Sequence, residues 1–499
     1  MKYVLIPMIL FSILNCSTPK KNDSINGYWM QEGYGVYLEI SDSIYKMYDV
    51  TEMSCQPSAS GSINNWSDSL STLLDLYNIS SVNSQSMVLE YGITSYKFNK
   101  LSAPLKRCDS PIIESTDPKL NFDVFWHTFK ENYAYSKIRK VDWDMLYEEN
   151  IPLITKETSQ VELFGYIAEI LDAIKDEHIS LRVPDSISNA YLAIRVPPEQ
   201  QENPSENLHK GNIPEKNVTY KDPRSKAMKR VMELFPETKF KSYHKDLIRW
   251  GKLNNSIGYI QINGFNGFSK EVVINDTLDH DDYWEKHWQL VFKAVEDGKT
   301  LGQYLRDEVS GMKRIKESIL SEFSKSSGLI IDLRFNPGGT DKVALDFLSS
   351  FTKGEKKAFT KRVWNKGESS FESSVFIPES PREYDGQVVV LTSPQTGSSA
   401  ETFVLASQQL PNFTLVGSNT MGIFSDVLQK RLPNGWNYGL SNEIYQTDSG
   451  ENYEYTGIPP HHKIEYSRNW YHFHKSIIEL TDSDPAIDLS LAILGKRLN

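Results

Sequence analysis

GLIIDLRFNPGG, residues 328–339, decides the fold: a dense run of branched apolar residues, too short for a helix, closed by Asn336, Pro337, Gly338 and Gly339. Such a run bounded by turn residues reads as a strand buried on both faces, as in parallel sheets flanked by helices. The elements around it alternate. IGYIQI (257–262) and QVVVLT (387–392) are further strand candidates, while GMKRIKESILSEF (311–323), ALDFLSSF (344–351) and AETFVLASQQL (400–410) have helical spacing. Strand–helix alternation implies right-handed crossovers on a largely parallel sheet covered by helices. LSNEIYQTDS (440–449), the GIPP turn (457–460) and DPAIDLSLAIL (484–494) close this α/β unit, assigned to residues 251–499.

Working outward, residues 193–250 are polar and rich in Pro, Asn, Glu and Lys, which reads as an elaborated surface segment; no peptide-binding PDZ module is legible there. Residues 113–192 read as helical, through NFDVFWHTFKENYAYS (121–136) and VDWDMLYEENIPLI (141–154). The best-defined helix follows Ser159. Ser159 and Glu162 fit a capping box, and Leu163, Phe164, Ile167, Ile170, Leu171 and Ile174 recur at helical spacing. Residues 17–112 show short alternating, aromatic-rich runs, as in INGYWMQEGYGVYLEISDSIYKMYDV (25–50) and ITSYKFNKLS (93–102), and read as a small all-β domain.

With 499 residues, 39% of them hydrophobic and 12% aromatic, the chain is an ordinary globular protein with room for a catalytic core. Lys plus Arg number 54 against 65 for Asp plus Glu, a net charge of −11 that opposes attraction to phosphate backbones. No nucleic-acid partner is expected.

The amino terminus, MKYVLIPMILFSILNCSTPKKNDS, carries Lys2, an apolar run from Tyr3 to Leu14, and Cys16. The run is short for a bilayer span and suits the core of a secretory signal over residues 1–16. The surroundings of Cys16 resemble a bacterial lipoprotein lipobox, with Asn15 where a smaller residue is usual. That resemblance implies a lipidated Cys16 and a membrane-tethered protein in the periplasm or on the outer-membrane surface; a plain cleaved signal or an uncleaved anchor is the other reading. Of the three cysteines, Cys55 and Cys108 then remain, and they form either a disulfide in the β domain or two buried thiols.

Three places carry chemistry. TSPQTGSSAETF (392–403) puts Ser398 and Ser399 where a strand ends and a helix opens, so a hydroxyl stands at the sheet edge beside free helix N–H groups; a plain N-cap serine would look the same. Asn336–Gly339 lets backbone approach a ligand closely. His178, in IKDEHIS (174–180), sits just past an amphipathic helix. Four histidines gather near the carboxyl end, His461, His462, His472 and His474, without an HExxH motif, and no metal or other cofactor is expected.

Together these motifs resemble the C-terminal processing and tricorn-core family of serine peptidases, especially the branch containing the interphotoreceptor retinoid-binding repeats, over most of the chain from Asp117 onward. The resemblance implies a ClpP/crotonase-like α/β catalytic domain with a helical cap. In that family the nucleophile stands three residues before a glutamate; Glu401 in TGSSAE then selects Ser398 rather than Ser399. IKDEHISL is similar to the segment carrying the general base, which implies that role for His178, with Glu177 in place of a glycine. A lysine-activated serine does not fit, because LVGSNTMG (415–422) is followed by Ile423. YEYTGIPP (453–460) is similar to the segment whose glutamate orients the histidine, which implies Glu454, although His461 follows where the family has Asp. Gly338 or Gly339 and Ser399 would supply the oxyanion donors. The expected function is hydrolysis of protein or peptide substrates through a Ser-His-Glu acyl-enzyme mechanism; the alternative is a non-catalytic lipoprotein binding peptides or an apolar ligand in the same cleft. Neither an oligomeric state nor a role for the amino-terminal β domain is legible.

Overall fold

The computed structural model describes residues 25–42, 44–62, 78–195, 223–253, 256–269, 274, 280–296, 301–381 and 384–496. The signal segment and Cys16 lie outside them. The amino-terminal part is one antiparallel sheet of β1 (Gly27–Gln31), β2 (Val36–Ser41), β3 (Ile44–Val50), β4 (Cys55–Ser62), β5 (Asn78–Val82), β6 (Ser86–Tyr91) and β7 (Thr94–Leu101), in the order β4-β3-β2-β1-β7-β6-β5. Period-two alternation gives it an apolar face of Trp29, Leu38, Ile40, Tyr45, Met87, Leu89 and Phe98. Cys55, at the start of β4, is disulfide-bonded to Cys108 in the turn after β7, with 5.3 Å between their Cα atoms.

The helical segment follows as α1 (Pro118–Asn132), α2 (Trp143–Asn150) and α3 (Gln160–Ile174), then β8 (Ser180–Arg182) and α4 (Asp185–Arg195). Each of the first three helices starts on a side-chain cap. Asp117 accepts from Leu120 N–H (3.0 Å), Asp142 from Met145 N–H (3.1 Å), and Ser159 with Glu162 forms the expected capping box. α3 stops at Lys175, whose φ of 56° is left-handed, so the chain turns sharply toward His178. The expected apolar stripe of α3 is buried, packed with Phe122, Phe125, Trp126, Phe129 and Trp143.

The catalytic-region elements are α5 (Pro223–Glu233), β9 (Lys241–Tyr243), β10 (Ile248–Leu253), β11 (Ile257–Ile262), α6 (His280–Glu296), α7 (Leu301–Phe323), β12 (Gly328–Asp332), α8 (Asp341–Ser349), β13 (Lys356–Asn365), β14 (Glu368–Ile377), β15 (Gln387–Thr392), α9 (Ser399–Ser407), β16 (Phe413–Gly417), β17 (Val427–Arg431), β18 (Asn437–Ser441), β19 (Glu443–Gln446), β20 (His462–Lys463), α10 (Trp470–Ile478) and α11 (Pro485–Lys496). The main sheet runs β20-β16-β15-β12-β11-β10-β9, parallel from β20 to β11 and antiparallel through β10 and β9. Its strands are buried on both faces as GLIID and QVVVLT predict. Leu329, Ile331, Val388 and Val390 join the core containing Phe347 and Phe403 of α8 and α9, whereas Ile330, Val389 and Leu391 join the core containing Met228, Phe473 and Ile487 of α5, α10 and α11. Each such side chain contributes on the order of 1.5–3 kcal/mol by leaving water.

The structure draws part of the polar segment into this sheet. Residues 196–222 lie outside the described residues, but α5, β9 and the first half of β10 belong to the catalytic layers. The limits expected at 192/193 and 250/251 both fall inside elements, α4 and β10, because Ile248 and Trp250 alternate inward as strand residues despite their polar neighbours. Two small sheets complete the fold, β14-β13-β19 and β17-β18-β8, and the second stitches the helical segment to the catalytic region.

Candidate active site

The nucleophile candidate stands where β15 gives way to α9. Ser398 has φ 51° and ψ −123°, a conformation that L-residues other than glycine seldom adopt and that persists only where the surroundings impose it. The surroundings here are backbone. Gly397 N–H donates to Asn336 O (3.1 Å), and Gly338 (φ +121°) passes so close that a Cβ on it would lie 2.6 Å from Ser398 Cβ. Gly339 (φ +140°) is equally confined, since its Cβ would meet the Phe265 backbone at 2.6 Å.

Of the expected oxyanion donors, Gly338 is already engaged, because its N–H donates to Asn336 Oδ1 (2.9 Å). The Gly339 and Ser399 N–H groups have no acceptor among the described residues. The Ser399 N–H lies at the positive end of a helix buried along its whole length, and Gly339 follows the glycine that packs on Ser398.

Glu401 fastens this elbow to the next loop. Its carboxylate accepts from Ser398 N–H (3.2 Å), Gly422 N–H (2.7 Å) and Ile423 N–H (2.9 Å). Burial pushes the carboxyl up to about 7, against the pull of Thr420 and those backbone donors.

The base candidate is held differently. His178 lies half-buried in the turn between α3 and β8, and its N–H donates to Asp176 Oδ1 (2.9 Å). Asp176 Oδ2 accepts from Tyr133 Oη (2.9 Å) and Ser441 Oγ (3.1 Å), with Arg139 Nε 3.8 Å away. Burial lowers the imidazole pKa, Asp176 and Asp426 oppose that, and Arg139 adds to it. The ring is therefore biased toward the neutral form a base requires. His178 Nδ1 has no hydrogen-bond partner among the described residues.

Glu454 is 2% exposed, so it is no solvated surface carboxylate, yet it is not bonded to His178 either. Its carboxylate pairs with the Arg139 guanidinium, whose side chain is 2% exposed, and accepts from Phe424 N–H (2.7 Å). A buried guanidinium without a carboxylate partner costs several kcal/mol, which accounts for the pairing. No hydrogen bond joins Ser398 Oγ to His178 among the described residues. A continuous path does connect the two: Ser398 to Glu401, to Ile423 and Phe424, to Glu454, to Arg139, to the Asp176 turn.

Residues 256–464 match the family model for peptidase family S41, and residues 115–172 match the tricorn protease C1 domain. Residues 256–464 are a peptidase family S41 region. The S41 match spans Gly338, Gly339, Ser398, Ser399, Glu401 and Glu454, while His178 lies between the two matched segments. Two curated relatives show sequence similarity. The tricorn protease of Thermoplasma acidophilum is 25% identical over 246 residues, 48% of this chain and 21% of its own. The carboxy-terminal processing protease CtpA of Bacillus subtilis is 29% identical over 154 residues, 31% of this chain and 32% of its own. The chain thus matches a third or less of the length of either. A solved structure from Parabacteroides merdae, classed provisionally as a peptidase, shares the fold: TM-score 0.50 and 19% identity, over 76% of this chain and 97% of that one.

Arg139, Asp176 and Asp426 carry no expectation from the sequence, and Asn336 is expected only as part of a turn and not through its side chain. Asn336 and Asp176 lie inside quoted motifs, NPGG and KDEH, and a polar residue beside a glycine turn or a candidate base is a signal that could have singled them out. Arg139 carries no local signal: its partner Glu454 is 315 residues away.

Proposed function

We propose that this chain is a metal-independent serine peptidase acting on protein or peptide substrates. The observation that carries the reading is the strained Ser398, fixed at the start of a buried helix against Gly338, with the Gly339 and Ser399 N–H groups free of an acceptor among the described residues. Ser398 Oγ attacks the peptide carbonyl and passes its proton to His178. The oxyanion is met by Gly339 and Ser399 N–H, the C–N bond breaks, and His178 returns the proton to the leaving amine. Water, deprotonated by the same histidine, then releases the acyl group. Glu454 supports this at one remove, because its pairing with Arg139 holds the turn that carries His178.

A binding protein without catalysis is the second reading, favoured by the absence of a Ser398–His178 hydrogen bond and by the commitment of Glu454 to Arg139. Hydrolysis of an unstructured peptide mixture decides between them. Ser398→Ala and His178→Ala should each remove most of the turnover, and the double variant should lose little more, since the two act as one unit. Hydrolysis undiminished in Ser398→Ala overturns the mechanism.

We also propose export and lipid anchoring through Cys16, supported by the apolar run before it and by the Cys55–Cys108 disulfide, which suits an oxidising compartment. Among the described residues no helix is long and apolar enough to cross a membrane. Cys16→Ala should abolish acylation and release the protein from the membrane fraction; unchanged mass and partitioning would refute the anchor.

A further inference from the structure

The amino-terminal sheet takes no part in the chemistry above, yet two of its turns end at charges of the catalytic region, the buried Glu443 and the half-exposed Asp426. Tyr34, between β1 and β2, donates its hydroxyl to Glu443 Oε1 (2.5 Å). Thr94, the first residue of β7, donates to Asp426 Oδ2 (2.9 Å). Both side chains are buried. Between them lies Lys361, whose Nζ reaches Glu443 Oε2 (2.7 Å), Asp426 Oδ2 (3.4 Å) and the Thr94 hydroxyl. Asp426 N–H donates to Glu443 Oε2 (3.3 Å), so lysine, two carboxylates and two hydroxyls from the β domain form one node.

Strand register places this node beside the base. Ser180 of β8 pairs with Gly439 of β18, and Val427 of β17 pairs with Ser441 of β18. His178 precedes β8 and Asp426 precedes β17, so both lie at the same end of the three-stranded sheet, with β18 between them, two strand spacings or about 10 Å apart. The charges facing His178 are Asp176 on its own turn, Asp426 from the start of β17, and Arg139 from the α1–α2 connection. Asp426 is the one whose position depends on the β domain. Against partial desolvation, the charge of Lys361 keeps the half-exposed Asp426 ionised below the ordinary carboxylate range, with the Thr94 hydrogen bond and His178 in support.

We infer that the amino-terminal sheet is a working part of the active site: through Thr94 and Tyr34 it seats the Lys361–Glu443–Asp426 node, and Asp426 is a positioning residue that assists His178 across the β17-β18-β8 sheet. The inference rests on the reading of His178 as the general base. Asp426 stabilises the imidazolium formed when Ser398 gives up its proton, and the β domain sets how well it does so.

The test is the His178 pKa in the full chain, measured by NMR with labelled histidine and assigned through His178→Gln. Removing the Asp426 charge in Asp426→Asn should lower that pKa by about half a unit, since the side chain is half exposed and partly screened. Thr94→Val should lower it less, and Thr94→Ser, which keeps the hydroxyl, should restore it. The acid limb of kcat/KM for peptide hydrolysis should move down in parallel, with kcat at the plateau reduced about threefold in Asp426→Asn. An unmoved His178 pKa in both Asp426→Asn and Thr94→Val, with hydrolysis intact, overturns the inference and spares the peptidase. A wild-type chain that hydrolyses nothing while the pKa shifts persist overturns the peptidase reading and spares the electrostatic seat.

Discussion

The two halves of the site are built from different materials. The Ser398 half is main chain: a buried parallel sheet, the helix that follows it, and two glycines at positive φ that no other residue could replace without collision. The His178 half is a network of side chains, in which Tyr133, Arg139 and Asp176 meet Glu454 from 315 residues beyond Arg139. Backbone can be specified by a local motif, since strand, turn and helix dictate where Ser398 points. A side-chain network exists only once the fold has assembled, and its loss should be felt first as instability.

That contrast can be broken from either side. The largest expected stability effect is Arg139→Ala, which removes the partner of two buried carboxyl groups, Glu454 and Asp176, and should cost about 3–5 kcal/mol, read as a lowered denaturant midpoint. A loss under about 1 kcal/mol would mean that water already solvates the pair. Gly338→Ala should divide the other way. The methyl would meet Ser398 Cβ at 2.6 Å in a backbone conformation disfavoured by about 1–2 kcal/mol, so peptide hydrolysis should fall far more than stability. Equal activity in this variant would show that the close approach is dispensable. The smallest of the three is Glu401→Gln. One carboxylate oxygen becomes an NH2 group that cannot accept the Gly422, Ile423 or Ser398 N–H, leaving a donor unpaired at about 1–3 kcal/mol. Calorimetry of this variant should also show a midpoint less sensitive to pH. The folded carboxyl titrates near 7 and the unfolded one near its ordinary value, so the wild type loses stability as pH rises through that interval.

The same division explains what was legible in the sequence. GLIIDLRF and QVVVLT announced a two-sided buried sheet through composition alone, and Ser159 with Glu162 announced the start of α3; all three stand as read. Part of the polar segment was misjudged because Ile248 and Trp250 are too few to reveal a strand amid Lys, Arg and Asp, although pairing with IGYIQI buries them. Gly338 looked equivalent to Gly339 as a donor until the side chain of Asn336, two residues earlier, turned out to take its N–H. Glu454 was found through its motif, but the partner that occupies it was not, because nothing near Arg139 in sequence marks it for burial.

The central claim, that Ser398 is a nucleophile activated by a neutral histidine, is tested most directly by labelling with a fluorophosphonate and following the intact mass across about pH 5–8. A single adduct is expected, located on Ser398 and absent from Ser398→Ala. Its rate should rise with pH through a midpoint below the ordinary histidine value of about 6.5, because burial depresses the His178 pKa. No adduct on Ser398 at any pH, or an adduct that persists undiminished in Ser398→Ala, would contradict it.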